Sequence, residues 1–192
     1  KINSGEIFEA VPIDYSFHLK IRDYIPYVCA AIHAGHNFRN NLKDKIIHSE
    51  YERWYEEDPH TDTFISSMPL TIVGLDSRFE YDLNRSPNLC VYKDAWGKPV
   101  WKKPLSKTLQ KESLKKHANF YKVIDALIDH IEKKFGGCLV YDMHSYNFIR
   151  HNKELPVFNI GTQRVDQKRF QKSIDYWYKK LKSIDIRSIE SS

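Results

Sequence analysis

The sequence predicts a single α/β domain over residues 1–192, with a mixed, mostly parallel sheet flanked by helices. Two short apolar runs, at 27–32 and 138–141, have the length and composition of buried strands. Between them, apolar residues recur at helical spacing from Leu114 to Phe135. A strand, a long helix and a second strand in this order are typical of parallel strands that are covered by helices.

Apolar patterns predict further strands on either side of this unit. Partial alternation within residues 1–26 predicts one or two short edge strands, and residues 70–75 predict another buried strand. The alternating segment 77–83 and the short apolar segment 156–161 predict two more. We therefore expect the sheet to extend beyond the two strands that border the long helix.

Two helices are predicted in addition to the long one. Asp58 and Pro59 have the form of a helix start, because aspartate is favoured at the N-cap and proline at the first helical position. Apolar residues from Phe170 to Leu181 again recur at helical spacing and predict a last amphipathic helix.

Composition argues against several classes of protein. The net charge is +5, and the lysines fall mostly on predicted helix faces, without a nucleic-acid recognition motif. No apolar run approaches the roughly 20 residues that span a bilayer. Three cysteines without regular spacing argue against a disulfide scaffold and favour a reducing compartment. We therefore expect a cytoplasmic protein that binds neither nucleic acid nor a membrane.

Histidines follow both strands that border the long helix. His33 and His36 come after the strand at 27–32, and His144 comes after the strand at 138–141. Ligands bind at the carboxyl ends of strands in open α/β sheets, so these imidazoles are expected to share one edge. Imidazole binds zinc, copper, iron or nickel, and catalytic zinc usually has three protein ligands. The pattern predicts a metal site; solvated or hydrogen-bonded histidines are the alternative.

Other polar residues extend this candidate site. Asp58 is either a helix cap or a carboxylate ligand. Asp142 precedes His144 by two residues, so on a strand it points to the same face and is a candidate hydrogen-bond acceptor. Arg85 is either a plain turn arginine or a bidentate partner for a substrate carboxylate.

The order of these segments resembles that of the N-formylglutamate amidohydrolases over roughly residues 27–162. The resemblance implies hydrolysis of the amide of a small N-acyl amino acid such as N-formylglutamate, with a small molecule as the partner. The segments that carry it are His33-Ala34-Gly35, Glu57-Asp58 with Asp62, Ser77-Arg78-Phe79-Glu80-Tyr81-Asp82-Leu83-Asn84-Arg85, and Asp142-Met143-His144-Ser145-Tyr146.

A more distant similarity runs to the zinc carboxypeptidases and implies their phosphorylase/hydrolase-like fold with one zinc ion. His33 and His144 match two of the zinc ligands of that family. His36 stands where the carboxypeptidases have a glutamate ligand. The amidohydrolases need no ligand at that position, so Asp58 competes with His36 as the third ligand.

The resemblance also implies roles for residues outside the metal site. Asn84 and Arg85 match an element that binds the substrate carboxylate. Arg78 either joins them or neutralises the oxyanion of the tetrahedral intermediate, and Tyr146 closes over the site. A carboxylate takes the proton of the attacking water; the resemblance does not assign it, and Glu57 is a candidate.

The general base is the point at which this chain departs from both families. They place a glutamate on a strand well after the His-Ser-Tyr segment, and nothing after residue 162 has that form. Three explanations follow. The chain lacks a C-terminal part, Glu57 or Asp58 replaces the base, or the protein binds an acidic amino acid or peptide terminus without turnover.

Overall fold

A five-stranded mixed sheet forms the centre of the computed structural model, which describes residues 1–147, 156–163 and 165–184. The chain divides into two compact units, Lys1–Tyr146 and Asn147–Ser192. The sheet and all of the candidate site residues belong to the first unit.

The first unit contains groups of strands separated by helices, after a short 3₁₀ helix at Ile2–Ser4. Its strands are β1 (Phe8–Ala10), β2 (Phe17–Ile21), β3 (Tyr27–Ala31), β4 (Leu70–Gly74), β5 (Asp94–Ala95), β6 (Lys98–Pro99) and β7 (Leu139–Asp142). Its helices are α1 (Asn40–Lys43), α2 (Glu50–Glu56), α3 (Thr61–Ile65) and α4 (Lys107–Phe135). The second unit contains the predicted last helix, α5 (Gln167–Lys182). No helix in the described ranges is both long and apolar enough to cross a bilayer.

The strand order of the main sheet is β1-β2-β4-β3-β7. β3 pairs in parallel with β4 on one side and with β7 on the other, whereas β1 and β2 join the sheet antiparallel. β5 and β6 form a separate two-stranded ribbon. The predicted α/β fold with a mixed sheet is therefore confirmed. The sheet is not mostly parallel, because two of the four pairings between its described strands are antiparallel. Its parallel part contains both strands that precede the candidate histidines.

Helices cover the two faces of the parallel strands because the residues of β3 alternate between them. Val28 and Ala30 belong to the core cluster that contains the buried stripe of α4. Cys29 and Ala31 face the opposite way, toward Ile65 of α3. Burial of a leucine or isoleucine side chain contributes about 1.5–3 kcal/mol. The apolar part of the buried stripe of α4 consists of Phe120, Ile124, Leu127 and Ile131.

The ends of α4 follow the capping rules. Ser106 is the N-cap, and its hydroxyl accepts a hydrogen bond from the backbone of Leu109. Gly136 ends the helix in the left-handed conformation at φ 78°, and its N–H donates to the carbonyl of Glu132. The chain then enters β7 within three residues, so α4 fixes where the His144 strand begins.

Two predicted strands are wrong. Residues 77–83 form turns, in which the Glu80 N–H donates to the Ser77 carbonyl, and the side chains of Ser77, Glu80 and Asp82 are fully buried. Their alternation with apolar residues therefore reflects a turn with buried polar side chains, and not a strand with one solvent-exposed face. Residues 156–161 form no strand within the described range 156–163, and Val157 and Phe158 are exposed there.

The predicted helix start at Asp58 and Pro59 is also wrong. α3 begins at Thr61, and its N-cap is His60, which has a left-handed conformation at φ 68°. The carbonyl of Asp58 accepts a hydrogen bond from the Thr61 hydroxyl at 2.7 Å. The carboxylate of Asp58 does not cap the helix, because it is engaged in the candidate site.

Gly35 lies too close to a neighbouring backbone to carry a side chain. A Cβ at this position would lie 2.1 Å from the carbonyl carbon of Leu75. The Gly35→Ala variant is expected to lose about 1–3 kcal/mol or more of unfolding free energy, measured by urea denaturation. Gly137→Ala is the matched control, since no described atom lies within 4 Å of its Cβ, and it should stay within about 0.5 kcal/mol. Equal losses in the two variants would contradict this account.

Candidate metal centre

The candidate site lies at the carboxyl ends of β3 and β7. His33 follows the last residue of β3 by two positions, and His144 follows the last residue of β7 by two positions. Because these strands are parallel neighbours, their ends meet at one edge of the sheet. The centroids of the two imidazole rings are 5.0 Å apart. The structure therefore brings together the two histidines that the strand pattern indicated.

Asp58 is the third member of the group. Its backbone N–H donates to the His33 carbonyl at 3.0 Å, which fixes the segment beside the end of β3. Its Oδ2 lies 2.7 Å from Nδ1 of His144 and 3.4 Å from Nδ1 of His33. One potential ligand atom from each of the three residues lies within 4.8 Å of the others. The group could therefore hold a metal ion between two imidazoles and a carboxylate.

The ring of His33 is held in an orientation that suits a ligand. Its Nε2 lies 2.8 Å from Oδ1 of Asp82, and it donates there because an ionised carboxylate can only accept. Its Nδ1 is buried and has no hydrogen-bond partner among the described residues. A buried nitrogen left without a partner is unusual in a folded protein. Nδ1 points toward Asp58, so a cation bound there would satisfy it.

The ring of His144 follows the same pattern. Its Nδ1 faces Asp58, and its Nε2 lies 2.8 Å from Oδ2 of Asp142. Asp142 is thus the hydrogen-bond partner that its position two residues before His144 suggested. In each ring Nδ1 is directed to the carboxylate of Asp58, and Nε2 is hydrogen-bonded to a separate aspartate. Metal-ligating histidines commonly donate their second N–H to a carboxylate in this way.

The carboxylates around His144 stabilise a positive charge at this site. Burial by itself raises the pKa of Asp58, but the hydrogen bond from His144 and the ring of His33 at 3.4 Å outweigh burial and hold that pKa far below its ordinary value. Burial lowers the pKa of His144, but the hydrogen bonds to Asp142 and Asp58 raise it to about 10. His144 is therefore protonated at neutral pH in the metal-free protein, and a metal ion must displace that proton.

We refer to His33, Asp58 and His144 as the metal group. Asp82 connects this group to the turn that carries the predicted substrate residues. Its Oδ1 accepts from the ring of His33 and from the backbone N–H of Asn84 at 2.6 Å. Its Oδ2 accepts from Arg78 at 2.9 Å and from the hydroxyl of Tyr92. Burial raises the pKa of Asp82, but the hydrogen bond and charge of His33 and the charge of Arg78 hold it well below its usual range. Asp82 therefore remains ionised and orients His33.

The role of Asp82 was missed in the sequence. Its position two residues before Asn84, inside the element that resembles a carboxylate-binding motif, was the available signal. The guanidinium of Arg78 is likewise engaged with Asp82, and it lies 5.2 Å from the ring centroid of Trp96. The structure thus places Arg78 beside the carboxylate that orients a ligand.

The remaining predicted residues surround this group. The side chains of Asn84 and Arg85 are exposed, and Arg85 donates its N–H to the Asp82 carbonyl at 3.1 Å. Tyr146 follows His144 by two residues and is partly exposed. These three residues thus present accessible side chains near the turn and near the end of β7.

His36 and Glu57 form a hydrogen-bonded pair separate from the three clustered residues. Of the described residues, the clustered ligand atoms belong to His33, Asp58 and His144, and His36 is not among them. Nδ1 of His36 lies 2.5 Å from Oε2 of Glu57. Glu57 is buried directly before Asp58, and its Oε1 has no hydrogen-bond partner in the part of the chain that the structure describes. The residue directly before Asp58 is therefore a buried carboxylate with one acceptor oxygen unpartnered among the described residues.

Similarity to known proteins identifies the family of the chain. No curated protein sequence matches the chain significantly. The fold is similar to the crystal structure of an N-formylglutamate amidohydrolase from Ralstonia eutropha JMP134, with a TM-score of 0.62 and 15% sequence identity. The match covers 73% of this chain and 62% of that chain, so this chain spans less than two thirds of that protein. The family model described as N-formylglutamate amidohydrolase matches residues 25–181, which is most of the sequence, and the chain therefore belongs to the N-formylglutamate amidohydrolase family.

Proposed function

We propose that this chain carries the active site of a zinc-dependent amidohydrolase that cleaves the amide of a small N-acyl amino acid such as N-formylglutamate. The observation that carries the proposal is the group of His33, Asp58 and His144, with its unpartnered buried nitrogen on His33. Two imidazoles and one carboxylate are the protein ligands of several catalytic zinc sites. Membership of the family supports the class of reaction.

The donor set fits zinc, and the chain holds its ligands in place before the ion binds. When bound, zinc polarises the scissile carbonyl and lowers the pKa of a coordinated water. Asp82 and Asp142 accept from the Nε2 atoms of His33 and His144, which leaves the two Nδ1 atoms for coordination. Asp58 supplies the third ligand through its carboxylate.

Glu57 is the residue that we propose for proton transfer. It takes a proton from the attacking water and delivers it to the leaving amine. The support for this role is its position directly before Asp58, together with the unpartnered Oε1. His36 holds Oε2 and thereby fixes the direction in which Oε1 points. In this proposal His36 orients the base, and Asp58 takes the third ligand position.

The substrate carboxylate binds at the turn that follows Asp82. The guanidinium of Arg85 offers two parallel donors to a carboxylate, and the amide of Asn84 offers another. Both side chains are exposed while their backbone is fixed by Asp82. Tyr146 covers the site from the end of β7. Arg78 contributes by holding Asp82 and not by direct contact with substrate.

Elemental analysis and a hydrolysis assay on the same sample test the proposal. The purified protein is expected to contain about one zinc ion per chain and to release formate from N-formyl amino acids. A chelator should remove the activity, and added zinc should restore it. Bound zinc without turnover on a panel of N-formyl and N-acetyl amino acids would favour a binding protein for acidic amino acids. Absence of both metal and turnover would refute the proposal.

A further inference from the structure

Two side chains of α4 bind the backbone of the turn that carries Asn84 and Arg85. Nε2 of His117 donates to the carbonyl of Arg85 at 2.9 Å, since a carbonyl can only accept. The hydroxyl of Tyr121 donates to the carbonyl of Leu83. The two rings also contact each other, with their centroids 4.8 Å apart. Helix α4 is therefore hydrogen-bonded to the backbone of the turn at residues 83 and 85.

The opposite side of the same turn is held by Asp82. Its carboxylate accepts from the Asn84 N–H, and its carbonyl accepts from the Arg85 N–H. The same oxygen, Oδ1, also accepts from the ring of His33. The turn is therefore fixed between the metal group on one side and α4 on the other, while the side chains of Asn84 and Arg85 remain exposed.

Packing alone does not explain the choice of His117. The rest of the buried stripe of α4 toward its C-terminal end is apolar, whereas His117 is only 3% exposed and places a polar ring in the interior. Burial of such a group costs free energy unless it is hydrogen-bonded. Its hydrogen bond to the carbonyl of Arg85 offsets this cost. Arg85 carries the guanidinium proposed to bind substrate, so the buried ring fixes the backbone of that residue.

We propose that His117 and Tyr121 are positioning residues for recognition of the substrate carboxylate. They hold the turn in one conformation, so Arg85 and Asn84 meet the carboxylate without first ordering their backbone. Preorganisation of this kind raises affinity, because less conformational freedom is lost on binding. The inference rests on the proposed function. It adds that α4 sets the preference for a carboxylate-bearing substrate and leaves the chemical step unaffected.

The test compares N-formylglutamate with an analogue that lacks the charge of the α-carboxylate and keeps that of the γ-carboxylate. Tyr121→Phe removes one hydroxyl, His117→Leu removes the ring donor, and His117→Gln keeps an N–H donor at a similar distance. The substrates are N-formylglutamate and the analogue in which the α-carboxylate is a carboxamide. Tyr24→Phe is the matched control, because Tyr24 also donates its hydroxyl to a backbone carbonyl, that of Glu6, away from the turn.

Tyr121→Phe and His117→Leu are expected to raise KM for the carboxylate substrate about 3–10-fold, the range for loss of one hydrogen bond. The kcat, the zinc content and the KM for the carboxamide should stay within about twofold of wild type. His117→Gln should recover most of the affinity that His117→Leu loses. Tyr24→Phe should leave the ratio of the two KM values unchanged.

Other outcomes would overturn the inference. Equal increases in KM for both substrates, or a parallel loss of kcat and zinc, would show a merely structural role for the two side chains. Tyr121→Phe decides the matter if His117→Leu does not fold. If the wild-type protein does not hydrolyse either compound, calorimetric binding of N-acetylglutamate and its carboxamide replaces KM. Weaker carboxylate binding by Tyr121→Phe then sustains the inference although the hydrolase proposal has failed, and absence of any carboxylate preference in wild type overturns it.

Discussion

Replacement of Glu57 by glutamine is expected to lower kcat by about 10²–10⁴-fold while the protein keeps its zinc. Glutamine has the size of glutamate and can still hydrogen-bond to His36, but its amide cannot take up a proton at neutral pH. The metal group should be unaffected, because Glu57 contributes none of the three clustered ligand atoms. Steady-state kinetics and elemental analysis of one preparation measure both quantities.

The control for this variant is Glu50→Gln in the first turn of α2. Glu50 is exposed on the same short helix that leads to Glu57, so its loss tests the effect of removing a local charge. It should leave kcat and zinc content unchanged. Retention of more than about a tenth of wild-type kcat in Glu57→Gln would contradict its role as base, given the usual size of the effect. Loss of zinc in Glu57→Gln would instead indicate a ligand.

The parts of the fold that were predicted correctly are those with a regular apolar pattern. β3 and β4 are buried apolar runs, and α4 and α5 show the helical period. β7 is a strand as predicted but is not buried, because it lies at the edge of the described sheet and Val140 is exposed. The segment 77–83 has two interpretations. Alternation of polar and apolar residues indicates a strand only when the polar residues face water, and here Glu80 and Asp82 are fully buried. Their partners, Arg39 and His33, are distant in sequence and leave no local signal.

Asp58 shows why local rules fail at a functional site. The sequence Asp-Pro suits a helix N-terminus, but the carboxylate of Asp58 instead pairs with His144 at 2.7 Å. The helix consequently begins at Thr61 without a side-chain cap. Spacing could not show that Asp58, and not His36, lies with His33 and His144, since this depends on the backbone hydrogen bond that places Asp58 beside His33. At Asp58 the contacts of the candidate site, and not the local preference for helix capping, determine the position of the carboxylate.

Replacement of His144 by alanine is expected to abolish both zinc binding and hydrolysis. The variant leaves only two of the three proposed ligands and removes the ring that lies between Asp58 and Asp142. Zinc content should fall from about one ion per chain to a trace, and kcat should become undetectable. His18→Ala is the control, since His18 lies on β2 and pairs with Glu9, outside the metal group. Circular dichroism shows whether the variant has kept its fold.

A second measurement on the same pair of proteins separates coordination from general damage. Because the pKa of His144 is raised to about 10 in the metal-free protein, zinc must displace its proton, and the wild-type protein should release about one proton per ion bound near pH 7. Calorimetric titrations in buffers of different ionisation enthalpy measure this number. His18→Ala should release the same number as wild type. Stoichiometric zinc in His144→Ala, or zinc binding to wild type without proton release, would contradict the assignment of His144 as a ligand, because coordination and protonation compete for Nδ1.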